Sequence, residues 1–273
     1  MLPTGKDRSP AEILLVRPRD TSMPAYKKIG ATQHPMNLVY LATWLSHRGF
    51  KPEIIDLEVE PLTRLEDRLR SSPPRLVGIT AMTPNIPEVR SLCGLCRSFG
   101  VTTVAGGVHA TIMPAETIKD TGCDYVVVGD GEQPLEALLS AIKAGHPPQG
   151  AESLGIGFLR NGFPPLINQR RPLMDIDALP VPDRRFLNLD LYSGEVSPGI
   201  LGKAGILFTS LGCPFQCAFC ASKIVNQQRI RYRSLEKVFA EIDDMVSLGF
   251  NHIYVEDETF GLIEDRLKSF CQY

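Results

Sequence analysis

Between residues 11 and 145 the chain alternates short apolar runs with longer segments whose apolar positions recur every three or four residues. The apolar runs fall at 13–16, 53–57, 76–80, 102–105 and 125–128. They are rich in Val and Ile and apolar at successive positions, as strands buried on both faces are. The segments between them predict helices over 37–48, 61–71, 87–99, 114–121 and 134–144. In the first, Leu38, Leu41 and Leu45 share a face, and Gly49 supplies the helix end. Each of the others opens at a proline, which suits a first helical turn. Five strands with helical crossovers predict an α/β fold, a doubly wound Rossmann-like domain over residues 1–150.

The pattern changes over residues 151–202. Apolar runs at 158–160 and 165–167 flank Asn161-Gly162, a strong hairpin turn signal. Pro172, Pro180 and Pro182 follow with few apolar runs, so this stretch reads as a small hairpin and a linker. From Lys203 the alternation resumes. It predicts a strand at 206–209, a cysteine-rich loop, a helix at 234–248, a strand at 252–256 and a helix at 263–272.

Composition narrows the function classes. Of 273 residues, 43% are hydrophobic and 22% charged, which is ordinary globular material. The 29 basic and 31 acidic side chains leave a net charge of −2. That balance argues against a nucleic-acid or membrane-surface binder, which needs a basic excess. No apolar run approaches the roughly 20 residues of a membrane span. The first residues lack the apolar core of a secretory signal, so a cytoplasmic, reducing location is the expectation. The seven cysteines then read as thiols or metal ligands rather than a disulfide frame.

The densest chemistry lies in Cys213-Pro-Phe-Gln-Cys217-Ala-Phe-Cys220. Three thiols at spacings of four and three residues can converge on one small cluster. Iron–sulfur clusters take thiolate ligands, normally one per iron, so three cysteines leave one corner of a four-iron cluster open. An open position is what catalytic metal sites keep. The loop follows the apolar run at 206–209, so it sits at the C-terminal end of a strand, where β/α barrels carry their active sites. A zinc site completed by Cys271 or a histidine is the alternative that ligand softness alone leaves open. Cys93 and Cys96 share the apolar stripe of the 87–99 segment, and they, Cys123 and Cys271 read as packing residues. Arg229, Arg231 and Arg233 read as a solvated strand face, and His34 as either a ligand candidate or a surface loop residue.

This cysteine spacing, with Gly212 before it and an aromatic residue, Phe219, before the last thiol, resembles the signature of the radical S-adenosylmethionine (radical SAM) superfamily. The resemblance implies that Cys213, Cys217 and Cys220 hold a 4Fe–4S cluster. Its free iron binds the amino and carboxylate groups of S-adenosylmethionine, which is cleaved to a 5′-deoxyadenosyl radical, and Phe219 packs near the adenine. The segment Glu256-Asp257-Glu258-Thr259-Phe260 matches an acidic stretch of related enzymes near the S-adenosylmethionine. Glu256 and Asp257 are therefore candidate cofactor contacts, beside the plainer reading of a solvated strand end.

Three further loops fall at predicted strand ends: Thr80-Ala81-Met82-Thr83, Gly106-Gly107-Val108-His109-Ala110-Thr111, and Gly129-Asp130-Gly131-Glu132. Glycine lets backbone approach a bulky ligand, and free N–H groups there suit phosphate or amide oxygens. The last of these begins like a dinucleotide fingerprint but carries Pro134 at its third glycine position and follows the fifth strand, not the first. With Pro35-Met36-Asn37-Leu38 and Ile54-Ile55-Asp56, these segments resemble the cobalamin-binding domain that precedes radical SAM barrels. The resemblance implies that Thr80, Gly106, Gly107, His109, Gly129, Gly131 and Glu132 border cobalamin. The Asp-x-His-x-x-Gly loop that ligates cobalt in other carriers is absent, which leaves the protein's cobalt ligand unassigned.

Taken together, the resemblance is to the cobalamin-dependent radical SAM group that includes anaerobic magnesium-protoporphyrin monomethyl ester cyclase and many methyltransferases. It implies methyl transfer or cyclisation at an unactivated carbon of a small-molecule substrate, with an electron donor such as flavodoxin or ferredoxin. Two alternatives stand beside it: a radical SAM enzyme whose first domain no longer binds cobalamin, and a cobalamin-binding module without catalysis. A β/α barrel takes about 250 residues, at least ~200. Residues 203–273 supply two strand–helix units, so a fragment of a longer protein is expected, its missing part holding most of the substrate pocket.

Overall fold

The computed structural model describes residues 11–20, 33–160, 163–197 and 200–273. These form two compact units. The first holds 11–20, 37–160, 163–172 and 183–187, and the second holds 33–36, 173–182, 188–197 and 200–273.

The first unit begins with β1 (Ile13–Arg17), α1 (Met36–Ser46), β2 (Pro52–Asp56), α2 (Leu62–Ser71) and β3 (Leu76–Thr80). It continues through α3 (Ile86–Ser98), β4 (Thr102–Gly106), α4 (Val108–Ile112), α5 (Pro114–Thr121), β5 (Tyr125–Val127) and α6 (Glu132–Ala144). The hairpin strands β6 (Ile156–Arg160) and β7 (Phe163–Ile167) complete it. All five expected strands form, and β1 to β5 pair parallel in the order β2-β1-β3-β4-β5. Ile13, Leu14, Val77 and Val126 are fully buried, as strands covered on both faces must be. Each such side chain stabilises the fold by about 1.5–3 kcal/mol. Gly49 lies at φ +81° just past α1 and donates to the Ser46 carbonyl, the left-handed helix end expected of it.

Two departures from the expected layout have clear physical reasons. The hairpin is not free-standing: β6 pairs antiparallel with β5, so the sheet runs on to β7 as a seven-stranded mixed sheet. Gly157 permits this approach, because a Cβ there would press on Val126 and Ile167. The Asn161-Gly162 turn lies outside the described residues. The stretch after Gly107, read as loop, contains the short α4, whose Thr111 hydroxyl donates to the Gly107 carbonyl at 2.9 Å.

In the second unit, β8 (Ser193–Ser197) and β9 (Ile200–Leu207) form an antiparallel pair where a linker was expected. Then come β10 (Ser210–Leu211), α7 (Ser222–Val225), β11 (Arg231–Tyr232), α8 (Leu235–Ser247), β12 (His252–Val255) and α9 (Glu264–Gln272). β12 runs parallel to β9, so their C-terminal ends lie side by side. The core is Leu207, Val238, Met245 and Phe250. Gly205 is required at the strand–helix contact, where an added Cβ would stand 2.5 Å from the Met245 sulfur.

The arginine stripe is solvated only at Arg229, which is exposed, while Arg231 is half-buried and Arg233 buried. Arg233 is 2% exposed and pairs at 2.5 Å with Glu241 of α8, itself 0% exposed, while also donating to the Phe208 carbonyl. Arg231 donates to the Met174 carbonyl at 3.0 Å. His34 is likewise buried, stacked on Tyr192 with centroids 4.4 Å apart and edge-on to Phe250. Replacing Arg233 by Met alone strands a buried carboxylate and is expected to cost about 3–5 kcal/mol. The double variant Arg233→Met/Glu241→Leu is expected to recover most of that loss. Urea midpoints of the three proteins check it, and equal losses in the single and double variants would refute the pairing argument.

Candidate functional site

Each unit presents a cluster of chemically capable residues at the C-terminal ends of its parallel strands. In the first unit the strand order reverses between β1 and β3, and ligands of such sheets bind at that reversal, outside the carboxyl ends. Asn37, at the start of α1, donates to the Thr80 hydroxyl at the end of β3 over 3.2 Å, which bridges that point. Thr80 is the register partner of Gly106. Beyond them Ala81 N–H donates to the Gly106 carbonyl at 2.6 Å, and His109 N–H to the Ala81 carbonyl at 3.1 Å. Gly107 sits at φ +110°, and a Cβ there would lie 3.0 Å from the Ala81 oxygen, so only glycine lets these two loops close on each other.

The third loop is tied to the second by Thr111, whose hydroxyl accepts from the Gly129 N–H at 3.0 Å. Gly129 lies at φ +91° with Arg170 filling the space a side chain would need. Gly131 caps α6, with Leu41 of α1 3.1 Å from its Cβ position, and Glu132 is the first helical residue, half-buried. The structure therefore gathers Thr80, Gly106, Gly107, His109 and Gly129 on one sheet edge and places Gly131 and Glu132 at the adjoining helix start. Thr83 and Thr111, not singled out by sequence reasoning, hold the arrangement together. Their one signal was their place within two of the three loops at the strand ends.

His109 has the most telling environment. The residue is 8% exposed, and its Nδ1 stands 3.0 Å from the hydroxyl of Thr83, an exposed residue. Its Nε2 is buried with no hydrogen-bond partner among the described residues. A buried polar atom left unpaired costs about 1–3 kcal/mol, so the site is built for something that supplies a partner.

In the second unit the cysteine loop leaves β9 through Phe208, Thr209 and β10. Gly212, at φ +95°, makes the turn into it, and a Cβ there would collide with the Arg229 carbonyl. Cys213 and Cys220 are half-buried and Cys217 exposed, and all three are free thiols. The Cys213 sulfur accepts a 3.2 Å hydrogen bond from the Thr259 hydroxyl. Phe219 is 94% exposed. Among the described residues no three His, Cys, Asp or Glu side chains are grouped as metal ligands, so the loop offers its thiols without closing them round a point. The donor set fits an iron–sulfur cluster in chemistry: three uncrosslinked soft ligands on one loop, open to solvent, at a strand's C-terminal end.

The three consecutive carboxylates after β12 have different surroundings. Both Asp257 oxygens are turned inward: one accepts from Thr209 N–H at 2.7 Å, the other from the Thr209 and Ser210 hydroxyls at 2.6 and 2.7 Å. Glu256 accepts from the Gln33 amide at 2.6 Å. Burial pushes its carboxyl above the ordinary range, with the Gln33 hydrogen bond working against that rise. Exposed Glu258 accepts from the Asn226 amide at 2.9 Å. Asn226 is in turn buried beside the Gly212 turn.

The remaining thiols are of another kind. Cys93 and Cys96 pack in the core of the first unit, where burial pushes each up to about 12. Burial raises Cys123 as well. A protonated, enclosed thiol is neither nucleophile nor ligand, so these three are packing residues, as expected. Cys271 is exposed.

Residues 25–139 match the B12 binding domain family. A Pyrococcus horikoshii protein described as an uncharacterized methyltransferase is 31% identical over 93% of this chain and 55% of its own length. The anaerobic magnesium-protoporphyrin IX monomethyl ester cyclase of Rubrivivax gelatinosus is 26% identical over 95% of this chain and 47% of its own. The chain thus spans about half the length of the curated relatives it matches. Among solved structures, TsrM from Kitasatospora setae, a radical S-adenosylmethionine methyltransferase with cobalamin and a [4Fe-4S] cluster bound, has the same fold. Its TM-score is 0.78 at 23% identity, over 95% of this chain and 50% of that one. The cobalamin-dependent radical enzyme OxsB gives 0.75 at 21%, over 95% and 36%. The recognition made from the cysteine and glycine motifs is in line with these matches: a B12 binding domain, curated relatives that include a magnesium-protoporphyrin cyclase and a protein described as a methyltransferase, and the fold of TsrM and OxsB. No helix among the described residues is long and apolar enough to cross a membrane.

The two populations of thiol give a direct test. Brief iodoacetamide treatment of the reduced, metal-free protein at pH 8 is expected to label Cys217 and spare Cys93, Cys96 and Cys123 until denaturant is added. Peptide mass spectrometry reads the pattern, and native labelling of Cys93 or Cys96 would contradict their burial. The linked pH effect has a defined sign. Their folded values are raised above the ordinary 9.0, so the stability they contribute is complete below that pH and is lost as pH rises toward about 12.

Proposed function

We propose that this chain is the cofactor-binding portion of a cobalamin-dependent radical SAM enzyme that transfers a methyl group, or closes a ring, at an unactivated carbon of a small-molecule substrate. Cobalamin binds at the carboxyl ends of β1, β3, β4 and β5. A 4Fe–4S cluster and S-adenosylmethionine bind at the ends of β9 and β12. The observation that carries the reading is the open trio Cys213, Cys217 and Cys220 at a parallel strand end, in a chain whose preceding residues match the B12 binding domain.

When bound, the two groups supply one-electron cleavage of a sulfonium and a carrier for a methyl group or an electron. The chain's own residues hold and orient them. Cys213, Cys217 and Cys220 hold the cluster by three thiolates and leave one iron for the S-adenosylmethionine amine and carboxylate. Glu256, with its carboxyl pushed up by burial, gains from an arriving ammonium group, whose charge favours the ionised form. Exposed Phe219 offers a face for a purine to stack on. Asp257, inward-facing, positions the strand end rather than touching ligand. His109 gives its buried Nε2 to a polar group of cobalamin. Gly106, Gly107 and Gly129 keep the sheet edge low enough for a large ring system to approach, beside Thr80, Gly131 and Glu132. A low-potential carrier such as flavodoxin or ferredoxin supplies the electron, and the cytoplasm is the expected location.

Anaerobic reconstitution of the purified chain tests the reading. About four irons per chain are expected in the wild type, and Cys213→Ala, Cys217→Ala and Cys220→Ala are each expected to abolish the charge-transfer absorption near the visible. Tight zinc with no iron would overturn it. Titration with hydroxocobalamin, followed by visible absorption, is expected to show binding that weakens about 5- to 30-fold in His109→Ala, for one buried hydrogen bond worth ~1–2 kcal/mol. Absence of any cobalamin binding by the wild type would leave the alternative in which this domain no longer holds it.

A further inference from the structure

We propose that the Thr259 hydroxyl is a positioning residue for the cluster: its hydrogen bond to the Cys213 sulfur raises the cluster's reduction potential. The inference rests on the cluster reading above and adds a residue to it. The bond spans 46 residues of sequence, at 3.2 Å, with the hydroxyl as donor and the sulfur as acceptor. A metal-bound thiolate can only accept, so the same geometry serves when the cluster is in place.

The bond is held by structure on both sides. Glu256 N–H donates to the Leu207 carbonyl at 3.0 Å, which continues the β9–β12 pairing past the end of β12. One residue on, Asp257 gathers Thr209 and Ser210 by three hydrogen bonds. Those residues lead directly into Gly212 and Cys213. The far side of the turn is fixed as well, since Gly212 packs against the Arg229 backbone and Asn226, and Asn226 grips Glu258. Thr259 and Cys213 are thus brought together by a bracket of buried or half-buried hydrogen bonds. A hydroxyl so placed has little freedom to turn elsewhere.

The chemical consequence follows from charge. One-electron reduction by a low-potential carrier takes the cluster from the 2+ to the 1+ state and adds negative charge that spreads onto its sulfurs. A hydrogen bond to a ligand sulfur strengthens as that charge grows, so it favours the reduced state. Removing the donor makes the potential more negative and the cluster harder to reduce. Serine retains the hydroxyl and is expected to retain the potential. Valine keeps the shape and loses the donor.

The test uses the 273-residue chain, reconstituted anaerobically, in wild-type, Thr259→Ser, Thr259→Val and Thr259→Ala forms. Redox titration followed by electron paramagnetic resonance reads the midpoint potential, and iron and sulfide analysis reads assembly. The expected result is equal iron content in all four, a wild-type midpoint for serine, and a shift to more negative potential for valine and alanine. Should valine disturb folding, alanine gives the same comparison. A second reading is deuteron coupling to the reduced cluster in D2O, expected in wild type and serine and diminished in alanine. If the wild type assembles a cluster and all variants titrate at one potential, the Thr259 proposal is overturned while the cluster reading stands. If the wild type assembles no cluster, the cluster reading itself fails.

Discussion

Asp257 ties the end of β12 to the end of β9, and the arrangement of the second unit's strand ends depends on that carboxylate. Parallel pairing of the two strands fixes their backbones only as far as Leu207 and Glu256. Beyond those residues the chain on each side is irregular and would be free to splay. Asp257 accepts from a backbone N–H and two hydroxyls of Thr209 and Ser210, so both of its oxygens are satisfied while half-buried. Removing the acceptor would orphan several donors at once, which is more costly than the net worth of any one bond. Through this contact the cysteine loop acquires a defined origin: Ser210 and Leu211 pair with β11, Gly212 turns, and Cys213 emerges beside Thr259.

The first unit solves a similar problem with backbone rather than carboxylate. Its strand ends at β3, β4 and β5 are linked by Ala81 to Gly106, His109 to Ala81, and Gly129 to Thr111. These links require close backbone approach, which explains why Gly107 has no room for a side chain. The result is a flat, glycine-lined edge with one buried imidazole nitrogen still to be matched. Such an edge suits a large planar ligand held by many weak contacts, whereas the cysteine loop suits a small, strongly ligated one.

Much of this was legible in the sequence because it rests on local pattern. Consecutive Val and Ile marked the buried parallel strands, the Cys213–Cys220 spacing marked a loop of free, unburied thiols, and the helical stripe containing Cys93 and Cys96 marked packing thiols. What was hidden rests on long-range pairing. β8 and the start of β9 read as linker because Ser193-Gly194-Glu195 and Gly202-Lys203-Ala204-Gly205 carry few β-branched side chains; they are strands because they pair with each other and with β12. The hairpin looked independent, yet an exposed edge at β5 recruited it. Arg233 looked solvated because its partner, Glu241, lies eight residues on, nearly two turns into α8.

The acidic run 256–258 shows most sharply where sequence reasoning stops. Within this run of three carboxylates, Glu256 and Asp257 looked equivalent as candidate cofactor contacts. In the fold they are not: Asp257 is drawn inward by three donors, Glu258 is held by Asn226, and Glu256 keeps a single amide partner in half-burial. The run lies past the end of β12 and enters a turn at Glu258, so its three carboxylates leave the backbone in different directions. Burial pushes the Glu256 carboxyl up, and a desolvated carboxylate gains most from a positive charge brought beside it. The environment of each carboxylate at this strand end is therefore set by the turn, its donors and its burial, which no count of acidic residues records.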